Sequence, residues 1–401
     1  MKFLVITQDL RVSGTSEGVV SRSFLAKLRM AYPSAIIDVL YLKIHTGEDE
    51  LNLLPVDSIA SHEINLKAPF FIKWLNRIST RLFHISSYDN YIHKLFSKQI
   101  AKVDYKKYDH VFVRSSGINH ETILALKNLP ILEKAILNFH DPYPFFWYPG
   151  SNRKLTGVEI SRLKKIRSIV SLAKLCISPS KLLSNDLELL YESKKKFYVL
   201  PHQYASSVFN LKEKNEKHKS NKRLSISYHG SVQFGRDLDI LLDSYNELVN
   251  EETKIKSDTE VCIRLKTNEF ERFKNKYLNN ENIKILEKTD FSTSSYEQMF
   301  ESDIILILEN GPEISNILVG KAPFVATLKK PVLILAPELS ELRSIVKDEK
   351  YIATYSNKVK IKEKLKNLLL DRLNSNEEVS VFGNYFSDTN FKNQLNQILD
   401  N

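Results

Sequence analysis

Asp303-Ile304-Ile305-Leu306-Ile307-Leu308-Glu309-Asn310-Gly311-Pro312-Glu313-Ile314-Ser315-Asn316-Ile317-Leu318-Val319-Gly320-Lys321-Ala322-Pro323-Phe324 opens as an apolar run and breaks into two glutamates, a serine and a Gly-Lys pair. Five successive apolar residues followed by turn formers read as a strand buried on both faces. Soon after, Pro331-Val332-Leu333-Ile334-Leu335-Ala336-Pro337-Glu338-Leu339-Ser340-Glu341 repeats the plan, a second apolar strand whose tip carries acids. Two successive acidic strand tips on one sheet edge predict a polar pocket, because ligands of open α/β sheets bind beyond the carboxyl ends of the strands. Taken singly, either glutamate could be a solvated loop charge.

The same alternation extends outward in both directions. Further candidate strands are 2–7, 36–41, 58–64, 110–114, 134–139, 175–178 and 196–200 in the first half, and 224–228, 260–265 and 282–286 in the second. Helical periodicity fills gaps such as 19–30, 238–250 and 294–301. Strand–helix alternation of this kind predicts an α/β protein with parallel sheets covered on both faces. The pattern runs through twice, separated by the charged, aperiodic stretch 211–222. The expected organisation is a Rossmann-like domain over 1–205, a linker over 206–222, a second Rossmann-like domain over 223–380, and a C-terminal helix over 381–401 that packs back on the domains. Two such sheets facing one another would place a site in the cleft between them.

Composition narrows the function. The 401 residues suit two or three domains of ~100–200 residues. With 42% hydrophobic and 26% charged residues the chain is not disordered. No apolar run approaches the ~20 residues that cross a bilayer, and Gln8 and Asp9 arrive too early for a secretory leader. Two cysteines, Cys176 and Cys262, exclude a disulfide framework and a Cys-based zinc site. The expectation is a soluble, cytoplasmic protein, and the Lys/Asn/Ile-rich usage looks bacterial. A formal charge of +10 favours anionic partners. Nucleic acid is not expected, since neither zinc-finger spacing nor an RRM signature occurs.

Only 11 glycines are present, so their places are informative. Gly14 and Gly18 lie between the first strand and its helix, where backbone N–H groups can meet a phosphate; a plain strand-to-helix turn is the alternative. Tyr228-His229-Gly230-Ser231-Val232-Gln233-Phe234-Gly235-Arg236-Asp237 repeats that arrangement. It is no P-loop, because Arg-Asp stands where Lys-Ser/Thr is needed. Arg236 at the helix entrance can still grip phosphate oxygens. Asn138-Phe139-His140-Asp141-Pro142-Tyr143-Pro144-Phe145-Phe146-Trp147-Tyr148-Pro149-Gly150 ends a strand directly in His-Asp, ahead of a rigid aromatic loop suited to stacking on sugar rings or meeting lipid.

These sites, in this order, resemble the GT-B glycosyltransferases of the large retaining family 4 type over nearly the whole chain. The Gly14 loop matches the loop that touches diphosphate and acceptor, and His140-Asp141 the pair whose histidine touches the transferred sugar. Cys176-Ile177-Ser178-Pro179-Ser180 and Val199-Leu200-Pro201-His202-Gln203 look like two further family segments, with His202 and Gln203 replacing Asn and Gly. In the Gly230–Leu242 block Ser231 stands where an arginine is usual, and Arg236 stands for the lysine. Counted back from Pro331, Asn316 and Phe324 occupy the usual glutamate positions, and the segment looks instead like a subgroup with Glu-x-Ser followed by Gly-Lys-x-Pro. The resemblance implies a GT-B fold and sugar transfer with retention, without metal or cofactor, from a nucleotide-sugar donor, UDP-linked. It implies catalytic roles for His140, Asp141 and Glu313. Donor contacts are implied at Gly14, Gly230, Ser231, Arg236, Glu309, Ile314, Ser315 and Lys321, with Glu338 and Glu341 as candidates for the ribose. The replacements at Ser231, Asn316 and Phe324 keep a degenerate scaffold subunit as one alternative. A GT-B-fold sugar-nucleotide epimerase is the other.

A last signal is basic and aromatic. Between Lys67 and Lys107 nine Lys/Arg face two acids, interleaved with Phe70, Phe71, Trp74 and Phe83. Lys73, Arg77 and Arg81 recur at helical spacing. The stretch 153–196 adds eleven Lys/Arg against four acids. Together with Trp74 and Trp147, these residues predict a glycan or lipid-linked acceptor at an anionic membrane surface, the inner face of the plasma membrane. A solvated helix face over core aromatics is the plain alternative.

Overall fold

The computed structural model describes residues 1–145, 151–191, 194–211, 217–265, 269–311 and 313–401. Seven strands, β1 (Lys2–Thr7), β2 (Ile36–Lys43), β3 (Ser58–Glu63), β4 (His110–Arg114), β5 (Ala135–Asn138), β6 (Leu175–Ser178) and β7 (Phe197–Val199), form one all-parallel sheet in the order β3-β2-β1-β4-β5-β6-β7. Helices α1 (Ser16–Ala31), α2 (Phe70–Phe83), α3 (Ser87–Ile100), α4 (Glu121–Leu124), α5 (Gly157–Leu172) and α6 (Lys181–Leu190) make the crossovers. The inner strands are apolar throughout because both faces are covered; every residue of β5 and β6 is buried.

The second sheet is also parallel. Its strands are β8 (Leu224–Gly230), β9 (Thr259–Leu265), β10 (Ile283–Glu287), β11 (Ile304–Leu308), β13 (Val332–Ala336) and β15 (Ile352–Thr354), in the order β10-β9-β8-β11-β13-β15. Two short strands, β12 (Ile314–Ser315) and β14 (Leu339–Ser340), pair only with each other. The associated helices are α7 (Asp239–Glu251), α8 (Thr253–Asp258), α9 (Phe270–Lys276), α10 (Phe291–Tyr296), which runs on into a π turn at Glu297–Glu301, then α11 (Ala322–Leu328), α12 (Glu341–Ile345) and α13 (Lys358–Asn374).

The chain divides into two compact units, residues 1–208 with 388–401, and residues 209–387. The last helix, α14 (Asp388–Leu399), therefore belongs with the first sheet. Its Phe391 meets Phe24 of α1 edge-on at 6.3 Å, Asp388 pairs with Lys27, and Asn396 accepts from Tyr32. Where the chain leaves the first unit, the buried guanidinium of Arg22 donates to the Val208 carbonyl at 2.7 and 3.0 Å and to the Leu10 carbonyl at 3.0 Å. A buried arginine needs such partners for its N–H groups.

Strand positions expected from the sequence match these elements to within one or two residues at their ends. β12, β14 and β15, of two or three residues each, were below what periodicity resolves. Part of the expected linker, 212–216, lies outside the described residues. Because Phe391 is 1% exposed, Phe391→Ala should destabilise the protein by ~3–5 kcal/mol. A lower urea midpoint for that variant checks this; an unchanged midpoint would mean α14 is not packed on α1.

Candidate active site

In a doubly wound sheet the crossovers change direction between two neighbouring strands, and the strand tips there leave an open crevice. The reversal falls between β1 and β4 in the first sheet and between β8 and β11 in the second. Most of the expected site residues sit on the loops leaving these strands or their neighbours.

In the first unit, β1 ends in Gln8 and Asp9. Asp9 accepts from Arg11 at 2.6 and 3.1 Å, from the Arg11 backbone N–H at 3.0 Å and from Thr15 at 2.9 Å, which folds the following loop about one carboxylate. Gly18 permits this, since a Cβ there would lie 2.5 Å from the Arg11 carbonyl oxygen. Gly14 has φ +93° and open space around it, so its glycine serves conformation. The next neighbour of β4, β5, leads into His140 and Asp141. Arg114, the last residue of β4, reaches His140 Nε2 at 2.8 Å and lies 4.3 Å over the Phe24 ring. The His140 backbone N–H donates to Ser115 Oγ at 3.0 Å. His202 stands edge-on to His140 at 5.4 Å.

Arg114 and His140 are each 3% exposed. Burial lowers the Arg114 guanidinium to about 9 and, with Arg114 beside it, holds the His140 imidazole well below its usual range. A guanidinium can only donate, so His140 is neutral, accepts at Nε2 and carries its proton on Nδ1. Burial, then the charge of Glu17, pushes the Asp141 carboxyl up to about 7, although the residue keeps some contact with solvent.

In the second unit, β8 ends at Gly230. A Cβ at Gly230 would come within 2.9 Å of the Tyr228 hydroxyl and 3.2 Å of Lys321 Nζ, so the glycine makes room for that ammonium. Lys321 donates to the His229 carbonyl and lies 4.6 Å from the Tyr228 ring centroid. Arg236 donates to the Ser231 carbonyl at 3.1 Å, which also accepts from the Tyr228 hydroxyl at 2.8 Å. Arg236 Nε is buried without a hydrogen-bond partner. Among the described residues neither cation has a carboxylate ion pair. Burial, then the Arg236 charge, lowers Lys321 to about 7. Two adjacent cations with no carboxylate ion pair among the described residues, one holding an unsatisfied donor, form a place for an anion.

The acidic tips are joined by the β12–β14 pair, which sets Ile314 opposite Leu339 and Ser315 opposite Ser340. Glu309 is fully buried, its carboxyl is pushed up to about 8 by burial, and Oε1 accepts weakly from the Leu342 N–H at 3.5 Å. Its Oε2 and Ser315 Oγ are buried without hydrogen-bond partners. Glu341 is buried, whereas Glu338 is exposed and accepts from Thr354 at 2.8 Å. Glu313 is exposed at the start of β12. The structure thus gathers Gly230, Ser231, Arg236 and Lys321 in one cluster, and Glu309, Ile314, Ser315 and Glu341 about the β12–β14 pair. Trp147 lies outside the described residues.

Sequence reading missed Arg114 and the buried trio of His229, Glu297 and Arg264. Arg264 grips Glu297 through two 2.6 Å bonds, and His229 bonds Ser294 at 2.8 Å. Arginine ending the apolar run Val111-Phe112-Val113 was the available signal for Arg114. Among the described residues no group of three or more His, Cys, Asp or Glu could hold a metal ion.

No protein-family model and no curated protein matches the chain. Solved structures do. A glycosyltransferase from Rickettsia africae ESF-5 is 16% identical with a TM-score of 0.62, covering 100% of this chain and 97% of its own. The fold is GT-B. The lipopolysaccharide outer core galactosyltransferase WaaB is 11% identical with a TM-score of 0.59, covering 100% and 99%. A UDP-GlcNAc 2-epimerase from Neisseria meningitidis bound to UDP-GlcNAc is 14% identical with a TM-score of 0.57, covering all of both chains. At these identities the likeness concerns architecture, and activity has to be argued from the site.

The Lys321 environment has a measurable consequence. Its ammonium is disfavoured in the folded state, so its destabilisation is full below pH 7 and fades as pH rises toward the ordinary lysine value. Lys321→Met should raise the thermal midpoint of the ligand-free protein at pH 6 by about 2–4 °C per ~1 kcal/mol relieved, with less gain at pH 9. An equal change at both pH values would refute the buried-cation reading.

Proposed function

We propose that this chain is a glycosyltransferase that moves a sugar from a nucleotide-sugar donor, a UDP-sugar, to a glycan or lipid-linked acceptor of the cell envelope, with retention and without metal. The observation that carries the reading is the Lys321–Arg236 pair beside Gly230 at the crevice of the second sheet, two cations that have no carboxylate ion pair among the described residues. In the proposed reaction the anomeric carbon–phosphate oxygen bond breaks while the acceptor oxygen bonds to the same face. The acceptor proton passes to the departing phosphate. Lys321 and Arg236 stabilise the negative charge that gathers on the diphosphate. Glu313 accepts hydrogen bonds from hydroxyls of the donor sugar, and Glu338 or Glu341 from the ribose.

His140, neutral with its proton on Nδ1, acts as a hydrogen-bond donor to a sugar hydroxyl and not as a cationic acid. Asp141, poised near 7, accepts from a hydroxyl in its ionised form. An epimerase is the second reading, favoured by the comparable likeness to a UDP-GlcNAc 2-epimerase. Incubation with UDP-GlcNAc and no acceptor separates the two, since only an epimerase accumulates the epimer.

Calorimetry against UDP, GDP, TDP, CMP and UDP-sugars tests the donor site. Binding of a nucleoside diphosphate or its sugar is expected, weakened ~10–100-fold by Arg236→Ala or Lys321→Met, the loss of one charge-assisted hydrogen bond. The diphosphate of a UDP-sugar does not titrate near neutrality, so loss of the Lys321 charge should make affinity fall as pH rises past 7 in the wild type, and that fall should be absent in Lys321→Met. Failure of every nucleotide to bind would sink the proposal. Slow hydrolysis of a labelled donor, abolished in Glu313→Ala, distinguishes an enzyme from a degenerate scaffold.

A further inference from the structure

Helix α2 is turned inside out relative to an ordinary surface helix. None of its fourteen residues is buried. Phe70 is 84% exposed, Phe71 59%, Trp74 53% and Leu82 65%, with Leu75 and Ile78 also exposed. At 3.6 residues per turn these six side chains share an arc of about 140°. What faces the protein is mainly polar: the half-buried residues are Ile72, Asn76, Ser79 and Thr80. Asn76 Oδ1 accepts from Ser86 Oγ at 3.1 Å and from the Tyr88 N–H at 3.0 Å, and Ser79 bonds Ser87 at 2.8 Å. The helix ends at His84 in the left-handed conformation (φ 55°), and His84 fits against Gly157, where a Cβ would come within 2.3 Å. So α2 is fastened along its polar seam and its apolar face is left outward, against the usual preference of a soluble helix.

Charge identifies what covers that face. Lys73 and Arg77 are exposed beside one edge of the apolar arc and Arg81 just inside that edge, and no acid occurs between Lys67 and Tyr88. A cavity of about 560 Å³ borders the end of α2 at Ile85, and its lining includes Lys127, Lys164 and Lys165 with Ser161 and Ser168 but no carboxylate. An apolar arc edged by cations suits the boundary between acyl chains and anionic headgroups, where the rings bury and the cations meet phosphates. Among the described residues no helix is long and apolar enough to cross a membrane, so the contact is in-plane.

We propose that α2 lies in the surface of an anionic phospholipid bilayer, inserting Phe70, Phe71, Trp74, Leu75, Ile78 and Leu82 while Lys73, Arg77 and Arg81 engage lipid phosphates. This goes beyond attraction of a basic helix face to a charged surface, since it requires penetration. Trp74 reports it. In a Trp147→Phe background Trp74 is the only tryptophan. Adding vesicles containing phosphatidylglycerol should shift its emission to the blue, and brominated acyl chains should quench it. Pure phosphatidylcholine vesicles should bind at least tenfold more weakly.

Phe71→Ser/Leu75→Ser/Leu82→Ser should lower vesicle affinity at least tenfold with unchanged circular dichroism and thermal midpoint, because those side chains are exposed in the folded protein. Lys73→Glu/Arg77→Glu/Arg81→Glu should abolish binding to anionic vesicles. No blue shift on anionic vesicles overturns the proposal. So does binding that the serine variant retains, or a dimer in gel filtration that the same variant converts to monomer, which would make the partner a second copy of the chain. Inorganic phosphate is the remaining control; if it displaces the protein from vesicles at millimolar concentration, the site is a free-phosphate site and insertion is refuted. The readouts contain no nucleotide, so they stand or fall separately from the donor site.

Discussion

A buried lysine ammonium held by one carbonyl oxygen and a tyrosine ring, beside a second cation and with no carboxylate ion pair among the described residues, is an electrostatic debt in the ligand-free protein. Much of the second unit is arranged about it. Gly230 omits a side chain where Lys321 Nζ lies, Tyr228 supplies a ring face, and the Ser231 carbonyl takes hydrogen bonds from both Tyr228 and Arg236. Two such unpaired cations attract an anion, and the fold puts them at the reversal between β8 and β11. The first unit carries a parallel case. Arg114 is buried with an imidazole, a hydroxyl and an aromatic ring for neighbours, and it thereby decides which nitrogen of His140 holds the proton.

How far the sequence revealed this depends on whether a feature is local. Apolar runs such as Ile304–Leu308 and Leu175–Ser178 announce buried strands because their hydrophobicity is the cause of their burial. His140, Gly230 and Lys321 were legible because a strand ending in a polar residue or a scarce glycine marks a tip. The pairing of Ser315 with Ser340, twenty-five positions apart in the chain and formed by strands of two residues each, has no local signature. The same holds for Arg264 with Glu297, whose bond depends on the register of β9 against β8 and on the π turn that carries Glu297. The sequence pattern also marked Lys73, Arg77 and Arg81 as one side of a helix. It did not show that the polar residues Asn76 and Ser79, and not the aromatic ones, face the protein.

Architecture alone leaves the chemistry open. Proteins described as a glycosyltransferase, a galactosyltransferase and a UDP-GlcNAc 2-epimerase superpose on this chain to a comparable degree. What distinguishes one use of such a scaffold from another is the decoration of its strand tips, including which cations lack counterions and which carboxyls are held protonated. Glu309, with its carboxyl near 8 and one oxygen unsatisfied, belongs to the wall that positions β12 and β14, and Asp141 stands where a carboxyl can change state near neutrality.

The membership of α14 in the first unit bears on how the protein is made. The second unit, residues 209–387, is an insertion whose sequence is finished before α14 emerges from the ribosome. Domains generally fold in order of synthesis, the N-terminal one first. Here that order is interrupted, because the face of α1 at Phe24 and Tyr32 lacks its α14 partners until residues 388–401 arrive. A chain cut just before Asp388 would leave that strip of α1 without its cover while keeping the whole of the second unit. Synthesis of α14 is thus the step that covers this face of α1.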